Sequence, residues 1–128
     1  MRRREVRWQV KGKPILVVDD DEDIRDSLSD ILADAGYAVL CFANGAEALA
    51  FLERDANASL ILLDLMMPVM NGWTFREMQA RDLRLASIPV IAMSAGADLE
   101  SPPTPRAPIF QKPLDVPKLL ARIAERVQ

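Results

Sequence analysis

The sequence contains no histidine and a single cysteine, Cys41. Nucleophilic catalysis by a Ser-His or Cys-His pair is therefore excluded. A zinc site, which draws most of its ligands from those two residue types, has almost nothing to build on. One thiol cannot form an intrachain disulfide, a usage that fits a reducing cytoplasm. No apolar stretch approaches the ~20 residues of a membrane-spanning helix. The first residues, Met1-Arg2-Arg3-Arg4-Glu5, lack the apolar core of a secretory signal. Internal repeats and long linkers are also missing.

What is present suits one soluble domain. Half of the 128 residues are apolar and 27% are charged, enough for one hydrophobic core. The net charge of −3 hides an asymmetry. Residues 1–13 hold six basic residues (Arg2, Arg3, Arg4, Arg7, Lys11, Lys13) against one acid, Glu5, so the remainder is about −8. Residues 1–12 read as a basic, frayed leader and residues 13–128 as the domain. A basic leader could touch nucleic acid or an acidic partner. The acidic body argues against direct nucleic-acid binding by the domain.

Strand and helix patterns alternate five times. Residues 14–19 read as the first strand. Asp21 or Asp23 can cap a helix with Ile24, Leu28, Ile31 and Leu32 on one stripe, and Gly36 stops it. Residues 37–42 read as the second strand, with Cys41 as a buried filler. Asn44 caps a helix carrying Ala46, Leu49 and Leu52. Leu60–Asp64 is the third strand. Trp73 to about Asp82 forms the next helix, with Phe75, Met78 and Leu83 turned inward. Strands four and five cover about 88–93 and 107–111. Val116–Val127 is the last helix. Such alternation implies βαβ units and a doubly wound parallel sheet.

One segment breaks the pattern. A helix is due between strands four and five, yet Pro102, Pro103, Pro105 and Pro108 fall within seven residues. Proline lacks an amide donor and disfavours helix in the residue before it. That helix is expected to be degenerate or missing, with an extended stretch in its place.

The polar residues at the strand ends carry the chemistry. Ile15-Leu16-Val17-Val18 runs into Asp19-Asp20-Asp21, and Leu60-Ile61-Leu62-Leu63 into Asp64. Val90-Ile91-Ala92-Met93 runs into Ser94, and Ile109-Phe110-Gln111 into Lys112-Pro113. Open parallel sheets bind ligands beyond the carboxyl ends of their strands. Three acids, a hydroxyl and an ammonium are thus expected to converge. Asp19, Asp20 and Asp64 would repel one another without a counter-ion. Magnesium suits two carboxylates, one backbone carbonyl and several waters. Asp64 is the best nucleophile candidate, since a carboxylate can attack a phosphoryl group. Ser94 and Lys112 offer donors for the other phosphoryl oxygens. Met66, Met67 and Met70 read as packing residues.

These motifs resemble the receiver domain of bacterial two-component response regulators. The match runs through Val17-Val18-Asp19-Asp20-Asp21-Glu22, Leu63-Asp64-Leu65-Met66-Met67-Pro68-Val69-Met70-Asn71-Gly72, Met93-Ser94-Ala95 and Lys112-Pro113, over about residues 13–127. The resemblance implies a flavodoxin-like sheet of order 2-1-3-4-5. It implies that Asp64 accepts a phosphoryl group from a histidine kinase or phosphotransfer protein. It implies Mg²⁺ held by Asp20, Asp64 and the backbone carbonyl of Met66, with Asp19 assisting through water. It further implies that Ser94 and Lys112 contact the phosphoryl oxygens, and that the Lys112–Pro113 bond is cis. Small Ala95 would let a kinase approach closely.

The chain departs from the family's pattern twice. Ile109 stands where the family usually has Tyr or Phe, three residues before the lysine; Phe110 should face the other side of the sheet. The proline-rich segment replaces a helix. Both departures lie on the face that the family most often uses for output. The expectation is a cytoplasmic receiver, alone or cut from a longer regulator, with no output domain after the last helix. It would be a monomer or weak dimer that signals to a downstream protein and touches no membrane. The rival readings are a magnesium-dependent phosphohydrolase and an unphosphorylated interaction domain. Such phosphohydrolases place a second acid two residues after the nucleophile, where this chain has Met66.

Overall fold

The computed structural model describes residues 12–96 and 102–127. The basic leader, Gly12 apart, lies outside them. Five apolar runs become parallel strands: β1 (Ile15–Val18), β2 (Val39–Phe42), β3 (Leu60–Asp64), β4 (Val90–Ser94) and β5 (Ile109–Gln111). Their order across the sheet is β2-β1-β3-β4-β5, the doubly wound, flavodoxin-like arrangement that the alternation and the resemblance imply. Among the described residues four helices accompany them: α1 (Glu22–Asp34), α2 (Gly45–Asp55), α3 (Gly72–Arg81) and α4 (Val116–Arg126).

Every helix starts at the cap its sequence offers. The Asp21 carboxylate accepts from the amides of Asp23 and Ile24 at 2.9 and 3.3 Å. Asn44, Asn71 and Asp115 cap α2, α3 and α4. Each such cap is worth ~1 kcal/mol. Proline bounds the strands without breaking the ladder: Pro89 and Pro108 cannot donate, but their carbonyls accept from Ile61 and Ala92 at 2.9 and 2.8 Å. Register pairing therefore begins one residue after each proline, at Val90 and Ile109, two residues later than the expected starts at about 88 and 107.

The central strands are buried on both faces, which is why they read as unbroken apolar runs. Leu16, Val18, Ile61 and Leu63 pack against Leu49, Leu52 and Phe75 on one face. Ile15, Val17, Leu60 and Leu62 pack against Leu28, Leu32, Leu119 and Ile123 on the other. Phe110 joins that second face, as strand alternation requires.

Three expected core residues are not core. Cys41 is exposed, because β2 is an edge strand. Met78 is exposed, and Leu83, 93% exposed, falls beyond the end of α3. Gln79 takes the inward place instead. It is fully buried, and its Nε2 donates to the carbonyls of Leu85 and Ile88 at 2.7 and 3.1 Å.

Among the described residues no helix lies between β4 and β5; residues 97–101 of the expected degenerate helix lie outside them. Residues 102–108 run without helix or strand, with Pro103 and Ala107 buried. Arg76 on α3 fastens them: its Nε donates to the Pro105 carbonyl at 2.9 Å, and its Nη1 to Gln79 Oε1 at 2.7 Å. No described helix is long and apolar enough to cross a membrane.

Candidate functional site

Strand register brings the polar residues together. Val18 pairs with Leu63, Asp64 with Met93, and Ser94 with Gln111, so β1, β3, β4 and β5 end at nearly one level. Carboxylate oxygens of Asp19, Asp20 and Asp64 all lie within 4.8 Å of one another. Asp19 and Asp64 are buried and Asp20 is exposed. Asp21, the remaining acid of the run, is spent on capping α1.

Lys112 reaches this cluster from the end of β5. Its Nζ donates to Asp19 Oδ2 at 2.8 Å and lies 3.4 Å from Asp64 Oδ1. Its backbone amide donates to the Ser94 carbonyl at 2.7 Å, which ties the lysine to the end of β4. The Lys112–Pro113 bond is cis, as the resemblance implies. Ser94 is buried, and its Oγ accepts from the Gly96 amide at 3.0 Å. Met66 follows the nucleophile candidate with its residue 62% exposed, beside the cluster and outside the core.

The electrostatics follow from this packing. Burial pushes the Asp64 carboxyl up to about 7, the Asp19 charge adds to the rise, and Lys112 opposes it. Burial alone would lower the Lys112 ammonium; contact with Asp19 and then Asp64 outweighs it, and the pKa rises. Three carboxylates against one ammonium leave an excess of negative charge held by hard oxygen donors. That donor set fits a small divalent cation, which would offset the charge that raises Asp64.

Two residues outside the expected set shape the site. Gly72 donates its amide to the Leu65 carbonyl at 2.9 Å. A Cβ there would come within 2.7 Å of the Asp64 carbonyl oxygen and 2.8 Å of Leu65 Cα. Only glycine lets α3 abut the backbone of Asp64 this closely. Arg25, one turn past the α1 cap, donates from Nη1 to the Asp19 carbonyl at 2.8 Å. The Asn71-Gly72 turn signal hinted at the first. The second depends on a reach between elements that no local pattern shows.

The chain is similar to known proteins. A model of the response regulator receiver domain family matches residues 15–124. The DNA-binding dual master transcriptional regulator RpaA of Synechocystis is 35% identical over 113 residues, 85% of this chain and 46% of that protein. Transcriptional regulatory protein GltR of Pseudomonas aeruginosa is 37% identical over 87 residues, 68% of this chain and 36% of that protein. The chain thus spans less than half the length of these curated relatives. Among solved structures, the chemotaxis protein CheY4 of Vibrio cholerae is 27% identical with a TM-score of 0.80, covering 91% of this chain and 100% of that one. Response regulator protein TrrA of Thermotoga maritima, solved in complex with Mg²⁺-BeF, is 26% identical with a TM-score of 0.80, covering 90% and 99%. With the motifs, the sheet order and the family match in agreement over the same residues, the chain belongs to the response regulator receiver domains of two-component signalling.

Proposed function

We propose that this receiver is a phosphorylation-controlled binding module that catalyses its own phosphoryl transfer and dephosphorylation. The domain so read runs from residue 13 to 128 and works in the cytoplasm, behind a basic leader at residues 1–12. An ionised oxygen of Asp64 attacks phosphorus on a phosphohistidine of a kinase or phosphotransfer protein. The O–P bond forms, the P–N bond breaks, and the imidazole nitrogen keeps the bonding electrons. Asp20, Asp64 and the backbone carbonyl of Met66 would hold Mg²⁺, with Asp19 assisting through water. When bound, that ion offsets the negative charge shared by carboxylate and phosphoryl group. Ser94 and Lys112 donate to the phosphoryl oxygens.

The observation that carries this reading is the Lys112 ammonium lodged between Asp19 and Asp64. An ammonium beside a nucleophilic carboxylate is placed to meet the anion that arrives there. A docking face for the phosphodonor adjoins it. Ile24, Leu28 and Ile31 of α1, with Leu114 and Val116, line an apolar cleft of about 550 Å³ whose wall includes Lys112 and Ala95. Exposed Ala95 leaves the approach to Ser94 uncrowded. The downstream partner is a protein, and the acidic domain binds no nucleic acid directly.

Incubation with acetyl phosphate and Mg²⁺, followed by intact mass measurement, tests the assignment. Wild type gains one phosphoryl group, and Asp64→Asn gains none. A variant that still gains the mass overturns the role of Asp64.

A further inference from the structure

Arg25 is a half-buried cation in an acidic neighbourhood. Asp19, Asp20, Asp21, Glu22, Asp23 and Asp26 all lie close in sequence. Among the described residues it nevertheless makes no salt bridge. Its Nη1 goes to a neutral acceptor, the Asp19 backbone carbonyl, at 2.8 Å. A charged donor aimed at one carbonyl forms a strong, directional bond.

That carbonyl belongs to the peptide unit joining Asp19 to Asp20. A peptide unit is planar, so holding its C=O also fixes the N–H and Cα of Asp20. The Asp19 side chain needs no such help: Oδ1 accepts from the Asp21 amide at 2.9 Å and Oδ2 from Lys112 at 2.8 Å. Asp20 is different. It is exposed, and among the described residues its carboxylate takes part in no hydrogen bond or ion pair, yet it lies within 4.8 Å of the other two carboxylates. No bond to its side chain, among the described residues, keeps it there.

We propose that Arg25 is a positioning residue for the cation site, holding the Asp19–Asp20 peptide so that the Asp20 carboxylate stays turned toward Asp19 and Asp64. This rests on the reading of the three carboxylates as a divalent-cation site.

The sign of one measurement separates positioning from charge. Arg25→Met keeps the aliphatic stem and removes a positive charge near the ion. By charge alone, Mg²⁺ binding would strengthen about twofold to fourfold. By positioning, it weakens about tenfold, the scale seen when groups that orient metal ligands are lost. Isothermal titration of the whole chain with Mg²⁺ reads the difference. Arg25→Lys, which keeps the charge and one donor, should recover part of the loss. Urea unfolding of each variant separates this from general destabilisation.

A second readout needs no metal. The Asp20 and Asp21 amide resonances of the metal-free protein should shift or broaden in Arg25→Met and recover toward wild type in Arg25→Lys. Weaker Mg²⁺ binding together with displaced amides is the result expected. Equal or tighter Mg²⁺ binding by Arg25→Met overturns the proposal. Wild type without Mg²⁺ affinity overturns the reading of the site, and the amide resonances then decide the role of Arg25 by themselves.

Discussion

Replacing Asp64 with asparagine should make the metal-free protein more stable at neutral and alkaline pH. In the folded state burial and the Asp19 charge raise the Asp64 carboxyl to about 7, well above its value in an unfolded chain. Between about pH 4 and 7 the native state therefore holds a proton that the unfolded state has released. Stability from this group is fully present at the acidic end of that window, declines as pH rises through it, and is gone above about pH 7. Asparagine stays neutral throughout and escapes the decline. A shift of about three pKa units corresponds to ~4 kcal/mol at most. Solvent beside exposed Asp20 and the loss of one Lys112 partner reduce this to about 2 kcal/mol at pH 8. With a urea slope of about 1–2 kcal/mol/M for a small domain, the midpoint should rise by roughly 1 M or more. Urea unfolding in EDTA at pH 4.5 and 8, followed by far-ultraviolet circular dichroism, measures it. The two proteins should nearly coincide at pH 4.5 and separate at pH 8. A difference independent of pH, or an asparagine variant less stable at pH 8, would refute the argument. Mg²⁺ added to wild type at pH 8 should recover much of the gap by mass action.

Three further outcomes are expected. The phosphorylated form should be long-lived: the resemblance to receiver domains implies that residues 66 and 96 flank the path of an attacking water, and here exposed Met66 cannot orient one and Gly96 has no side chain to do so; decay followed by intact mass should quicken several-fold in Met66→Asn, and unchanged decay refutes the account. Gly72→Ala should cost about 1–3 kcal/mol by urea unfolding and slow phosphorylation, since its Cβ meets unyielding backbone at Asp64 and Leu65. Arg76→Ala should cost about 1–2 kcal/mol and speed amide exchange at Thr104, Arg106 and Ala107, because the bond to the Pro105 carbonyl is lost; exchange as slow as in wild type would show that the segment is held otherwise.

The site was legible because each of its residues ends a short apolar run. A short apolar run bounded by polar or turn residues reads as a strand of a parallel sheet, and topology places strand ends on one edge. Neither step requires a long-range distance. Asp19, Asp20, Asp64, Ser94 and Lys112 are therefore legible as strand-end residues, and so are the caps at Asn44 and at Asp21, which the sequence offers beside Asp23, because caps are local by nature; the cap at Asn71 reads only as a turn signal. Sequence and structure part where burial depends on position in the sheet. Cys41 sits in a run that looks like the others, but β2 has a neighbour on one side only. Leu83 continues the apolar spacing of α3 beyond the residue where the helix stops.

Residues that bridge elements leave no local pattern in the sequence. Arg25, Arg76 and Gln79 look like ordinary exposed polar positions on helices. Each instead sends a donor to a backbone carbonyl on another segment: Asp19, Pro105, and Leu85 with Ile88. Periodicity records which face of a helix is apolar; it does not record where a long polar side chain ends. The consequence for the proline-rich segment is specific. Four prolines explain why no helix forms across residues 102–108, but they do not explain why that stretch keeps one place. Arg76 and Gln79 do, since a buried carboxamide anchors the guanidinium that anchors the strap. The residues that carry the proposed chemistry are thus set by strand ends. Their surroundings are set by polar side chains that cross from one helix to the next segment, and those can be found only once the fold is in hand.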